Sequence, residues 1–162
     1  MKCKSETRQQ SITVTSTAFA ESGMIPSKYT CDGVNVSPPL SWSKGSDSTK
    51  SYVLICDDPD APAKTWLHWV LYNIPLSTTS LPENVPATET VLSTALNGTN
   101  DFKTLGYGGP CPPGGTHRYF FKIFALDCLL NLKAGATADT VTGLMKDHVL
   151  ASGILIGKYQ RK

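Results

Sequence analysis

Asp58-Pro59-Asp60-Ala61-Pro62, followed after a short gap by Trp66-Leu67-His68-Trp69, sets two carboxylates and an imidazole close together. A second stretch, Gly108-Gly109-Pro110-Cys111-Pro112-Pro113-Gly114-Gly115-Thr116-His117-Arg118-Tyr119, adds another imidazole and a phenol. Each is a Pro/Gly-rich loop running into an apolar, aromatic segment. Laid side by side, the two bring Asp58, Asp60, His68, His117 and Tyr119 to one pocket rim, which is the chemistry of an anion site. Imidazoles beside carboxylates are favoured as imidazolium, so both histidines are expected to titrate high. Glycine N–H groups, with no Cβ in the way, and the Tyr119 hydroxyl supply further donors. No Ser or Cys occupies a nucleophile elbow, and neither HExxH nor a Walker-type phosphate loop occurs.

Strands must position these groups. Tyr52–Cys56 is a continuous apolar run ended by Asp-Asp-Pro-Asp and reads as a buried strand feeding a turn. Trp66–Ile74 is a second strand, ended by Pro75, and Arg118–Leu126 is a third. The three are expected in one sheet. Shorter strands are expected at Thr13–Phe19 and Ile154–Tyr159. Alternation puts His117 and Tyr119 on one face, continued inward by Phe121 and Ile123, while His68 shares its face with Trp66, Val70 and Tyr72. Val141, Leu144, Met145, Val149 and Leu150 follow helical spacing, with Thr137 or Asp139 as cap and Gly153 beyond the end. A second short helix over Ala134–Asp139 is optional. Residues 77–109 show little strand or helix character, and a loop that long is more often functional than idle.

The 162 residues, 40% apolar and 17% charged, fit one packed, β-dominated domain covering 12–162 after a flexible tail over 1–11. A net charge of +2 gives no reason to expect nucleic acid, and no apolar run approaches a bilayer span. The polar N-terminus lacks the apolar stretch of a secretory signal, so a cytoplasmic protein with reduced thiols is expected. Five cysteines without CxxC or zinc spacing agree with that. Cys56 and Cys128 read as small core residues, and Cys31 and Cys111, in loops, as free thiols. Taken singly, Asp58 also reads as a turn residue, His68 as a hydrogen-bonded core residue and His148 as a surface or packing residue.

At these motifs the chain closely resembles the phosphatidylethanolamine-binding protein family, which includes the Raf kinase inhibitor proteins. The resemblance is carried by Asp58-Pro59-Asp60-Ala61-Pro62 with His68-Trp69, and by Gly109-Pro110 through His117-Arg118-Tyr119. Lys28 through Trp42, and Asn100-Asp101-Phe102 followed by Gly106 through Pro113, are similar to its bacterial YbhB/YbcL-like branch. The resemblance spans about residues 12–160 and implies a large central β-sheet packed on a smaller sheet with few helices. It also implies a small pocket for phosphate or a phosphorylated head group, lined by Asp58, Asp60, His68, Gly109, Pro110, His117 and Tyr119. Homodimers are known in this branch. The C-terminal helical extension of eukaryotic members has no counterpart after Tyr159.

The leading reading is therefore a non-catalytic binding protein, without cofactor or metal, that recognises a phosphate-bearing small molecule or a phosphorylated protein group and modulates a kinase or another enzyme. An alternative is a phosphate-ester hydrolase using His68 and His117 as metal ligands or as acid and base, assisted by Asp58 or Asp60. A third is a protease inhibitor acting through a surface outside the pocket.

Overall fold

A computed structural model describes residues 10–161. In chain order its elements are β1 (Gln10–Ser11), β2 (Val14–Thr15), a 3-10 turn (Ser27–Tyr29), β3 (Leu40–Trp42), β4 (Ser51–Asp58) and β5 (Trp66–Pro75). There follow β6 (Ser80–Leu81), β7 (Thr90–Val91), β8 (Ala95–Asn97), β9 (Thr116–Leu126), α1 (Ala138–Met145) and β10 (Val149–Gln160). Among the described residues a seven-stranded sheet runs β1-β10-β9-β4-β5-β8-β7, and a three-stranded sheet runs β2-β3-β6. Among the strands of the described residues only the β1–β10 pair is parallel.

The three expected strands are neighbours at the centre of the large sheet, as β5, β4 and β9. The unbroken apolar run of β4 follows from burial on both faces. Tyr52, Leu54 and Cys56 join the core shared with the small sheet, whereas Val53 and Ile55 join the core beneath α1. On β9, His117, Tyr119, Phe121, Ile123 and Ala125 alternate inward, and each large apolar side chain so buried contributes roughly 1.5–3 kcal/mol.

Several expectations need correcting. The helical spacing continues through Leu150, yet α1 stops at Met145, and Val149 and Leu150 open β10. An eight-residue helix with Gly143 inside has little intrinsic stability, and the eleven paired rows of β10 on β9 outweigh another turn of it. Gly153 is not a helix stop. A Cβ there would meet Ile12 O at 1.9 Å, so glycine lets the N-terminal strand lie against β10. No separate helix covers 134–139: Ala138 and Asp139 open α1, capped by the Thr137 hydroxyl, which accepts from Thr140 N. The expected tail lies outside the described residues over 1–9, but Gln10 and Ser11 pair with Ala151 and Ser152. The expected strand at Thr13–Phe19 is only Val14–Thr15.

Candidate anion-binding site

The Asp58 carboxylate, 3% exposed, divides its two oxygens. Oδ1 accepts the Asp60 N–H at 2.8 Å, which closes the Asp-Pro-Asp turn, and Oδ2 accepts from His117 Nδ1 at 2.7 Å. The turn and the site are therefore built by one residue. With Nδ1 given to Asp58, His117 has Nε2 as its remaining polar atom.

His68 is placed by an irregularity. Cys56 pairs with Trp69 and Asp57 with Leu67, so His68 is the extra residue of a β-bulge, a device that re-aims a side chain. Its main-chain oxygen accepts Gly108 N–H at 2.9 Å, and its Nδ1 lies 2.6 Å from Gly108 O. A carbonyl only accepts, so Nδ1 carries the proton, leaving Nε2 an acceptor in the neutral ring. Burial pushes the His68 pKa below its ordinary value, against the opposing pull of the Gly108 carbonyl and of Asp58, Asp57 and Asp101. The expectation that both imidazoles titrate high thus fails for His68, because desolvation of the charged ring outweighs carboxylates it does not touch.

Tyr119, fully buried, stacks edge-on to His68 at 5.2 Å between ring centres. Its hydroxyl is buried without a hydrogen-bond partner, as is the Trp66 indole N–H. Desolvation first, then the nearby Asp58 charge, pushes the Tyr119 hydroxyl well above the ordinary phenol range, so it remains a neutral donor. A cavity of about 200 Å³ is lined by Asp58, His68, His117 and Tyr119 together with Trp66, Phe102, Ala61 and Pro62, and by Cys111, Pro112 and Pro113. Phe102 meets both Trp66 and His68 at 5.5 Å. It is held there by a loop wound around Asn100, whose Oδ1 accepts from Phe102 N and Thr104 N and whose Nδ2 donates to Gly106 O.

Asp60, Gly109 and Pro110 are absent from that lining and act as supports. Asp60 receives Arg118 N, Nε and Nη2, all at 2.9 Å, and this grip holds its carboxyl down to about 2. It is hydrogen-bonded to neither histidine, though the His117 charge adds a smaller downward pull. Gly109 N–H is spent on Asn35 Oδ1 at 2.8 Å and Gly108 N–H on His68 O, so neither is the free anion donor expected of these glycines. Gly109 is required for another reason: a Cβ would meet Asn35 Oδ1 at 2.3 Å and Tyr29 O at 2.4 Å. Trp66 was legible as a cavity residue from its position two before His68 on one strand face. Phe102 carried no such signal.

Cys31 and Cys111 are joined in a disulfide, with Cα atoms 5.4 Å apart and a sequence separation of 80. This overturns the expectation of two free thiols. The loops meet because Cys31 N donates to Pro110 O at 3.1 Å while Asn35 holds Gly109, and composition could not reveal that approach. The bridge ties the Cys111–Pro113 wall of the cavity to the 3-10 turn. Its presence also removes the reduced-thiol support for a cytoplasmic location. No helix among the described residues is long and apolar enough to cross a membrane.

The profile of the family described as phosphatidylethanolamine-binding protein matches residues 15–160. A UPF0098 protein of Methanothermobacter thermautotrophicus is 54% identical over 144 residues, covering 89% of this chain and 95% of the relative. One from Pyrococcus horikoshii is 46% identical over 151 residues, covering 91% and 76%. Among solved structures, Escherichia coli YbcL, described as a member of the mammalian PEBP family, superposes with a TM-score of 0.87 at 32% identity, covering 93% of this chain and 99% of that one. CT736 of Chlamydia trachomatis, described as a phosphatidylethanolamine-binding protein homolog, gives 0.86 at 37% identity, covering 94% and 99%. With its two-sheet architecture and its profile match over nearly the whole described length, this chain belongs to the phosphatidylethanolamine-binding protein family.

Proposed function

We propose that the protein is a non-catalytic binding protein whose cavity holds a small phosphate-bearing anion, free or as the head of a larger molecule. The observation that carries this reading is the Tyr119 hydroxyl, a buried donor with no partner of its own at the floor of a cavity edged by two histidines. An unpaired buried hydroxyl costs roughly 1–3 kcal/mol, and a ligand oxygen offsets that cost. His117, protonated on both nitrogens, donates to Asp58 through Nδ1 and to the anion through Nε2. His68, neutral with Nδ1 on Gly108, accepts a P–OH hydrogen through Nε2. This pairing of donor and acceptor favours hydrogen phosphate over sulfate, which carries no proton near neutral pH. The aromatic edges of Trp66 and Phe102 leave room for an organic substituent. In this reading a phosphorylated small molecule or protein side chain is the partner, and modulation of a kinase follows from occupancy of the cavity.

Tyr119→Phe tests the reading by calorimetric titration with inorganic phosphate. The variant should melt no lower than the parent, since it loses only an unpaired group, and should bind phosphate about ten- to a hundredfold more weakly. Unchanged phosphate affinity in a folded Tyr119→Phe protein would overturn the assignment.

A further inference from the structure

The far end of β9 carries a second cluster of chemically able side chains, unrelated to the cavity. Asp127 and Cys128 follow the last residue of β9, and His148 precedes the first of β10. Their ligand atoms, a carboxylate oxygen, a thiol sulfur and an imidazole nitrogen, all lie within 4.8 Å of one another. His117 stands at the opposite end of the same strand, about 30 Å away at the ordinary strand rise.

We propose that Asp127, Cys128 and His148 form a surface site for a zinc-type divalent cation, with three protein ligands and one position open to water. The backbone beneath the cluster is fixed before any ion arrives. Asp127 N donates to His148 O at 3.1 Å, Leu126 pairs with Val149, and His148 N donates to Met145 O at 2.9 Å. Cys128 is anchored separately, its carbonyl accepting the Ser51 hydroxyl at 2.7 Å. The two segments that supply the ligands therefore cannot drift apart, and only side-chain rotation is needed to close the site. For the imidazole and the carboxylate that rotation is small. His148 Nδ1 and Asp127 Oδ1 are 2.7 Å apart across a shared proton, and zinc bonds of about 2.0–2.2 Å set two tetrahedral ligands roughly 3.3 Å apart. The cation takes the place of that proton, and the Cys128 thiol gives up its own, so binding releases protons to solvent.

The donor set chooses the metal. A thiolate with an imidazole selects zinc or cobalt over magnesium and calcium, which prefer oxygen alone. Solvent reaches the site directly, because the Asp127 and His148 side chains are 42% and 45% exposed, and that gives the ion both an entry path and its fourth ligand. Asp127 joins the other two groups, its carboxylate accepting from His148 Nδ1 and from the Cys128 thiol, so all three ligands already face one another.

Cobalt titration of the full-length protein decides the matter. Cys3, outside the described residues, is first replaced by Ser so that the remaining free thiols are Cys128 and the buried Cys56. Co2+ should then give a thiolate-to-cobalt charge-transfer band with tetrahedral visible bands, displaced by Zn2+. Cys128→Ser should abolish the charge-transfer band and His148→Ala should weaken Zn2+ binding by about tenfold or more. His117→Ala, at the other end of the strand, should leave both unchanged. No charge-transfer band in the parent, or one that survives Cys128→Ser, would overturn the proposal.

Discussion

Replacing Asp58 by Asn changes one oxygen to an amide nitrogen and leaves the shape of the site intact. Asp58 accepts two hydrogen bonds, from Asp60 N–H and from His117 Nδ1, and Asn has one acceptor oxygen for the two donors. With that oxygen on the Asp60 N–H, the new amide donates toward His117 Nδ1. The ring must then become neutral, accepting at Nδ1 and keeping its proton on Nε2. The anion retains a donor but loses the charge on it. Charged hydrogen bonds contribute roughly 1.5–3 kcal/mol and neutral ones about 0.5–1.5, so the difference is near 1–1.5 kcal/mol. That corresponds to about five- to tenfold weaker phosphate binding. His117→Ala removes the contact itself and should cost about ten- to a hundredfold. Isothermal titration with inorganic phosphate at one fixed pH, on proteins checked for folding by circular dichroism, gives both numbers. Asp58→Asn binding as tightly as the parent, or more weakly than His117→Ala, would refute the reasoning.

Acid should weaken the fold through His68. Its pKa is lowered by folding, so below about pH 6.5 the unfolded chain binds the extra proton, and stability falls on acidification by at most about 1.4 kcal/mol per pH unit. Urea melts of His68→Asn between pH 5 and 8 should show a shallower acid slope than the parent, and an unchanged slope would contradict the sign. The Cys31–Cys111 bridge closes a loop of about 80 residues, so Cys31→Ser/Cys111→Ser should lose up to ~4 kcal/mol in denaturant melts, with Ellman titration of unfolded, unreduced parent protein missing both thiols. Gly109→Ala forces a methyl onto Asn35 and the Tyr29 carbonyl, and should lower stability by about 1–3 kcal/mol or more together with phosphate affinity, read by thermal melting and calorimetry.

Much of this arrangement was legible in the sequence, and the remainder has identifiable causes. Strict alternation on β9 fixed the inward face of His117 and Tyr119, because a regular strand in an antiparallel sheet leaves no freedom once Phe121 and Ile123 seek the core. His68 was read on the correct strand, but its bulge depends on a register that only the neighbouring strand defines. The same limit hid the roles of Asp60, Gly109 and Gly153. Each is set by a partner far away in sequence: Arg118, Asn35 and Ile12 respectively. Val149 and Leu150 misled because helical and strand spacing overlap over a few residues, and long-range pairing with β9 decided between them. The cysteine pairing was argued from compartment rather than contact, and contact decided it.

The proposed function requires one small anion between the two histidines and Tyr119. A crystal structure of the protein grown with inorganic phosphate tests it most directly. The expected result is a phosphate in that cavity with one oxygen within about 3.2 Å of the Tyr119 hydroxyl and another within the same distance of His117 Nε2. A cavity holding only water at saturating phosphate, or phosphate held instead by Lys64, Lys103 and Lys122 on the opposite side of β4 and β5, would contradict it.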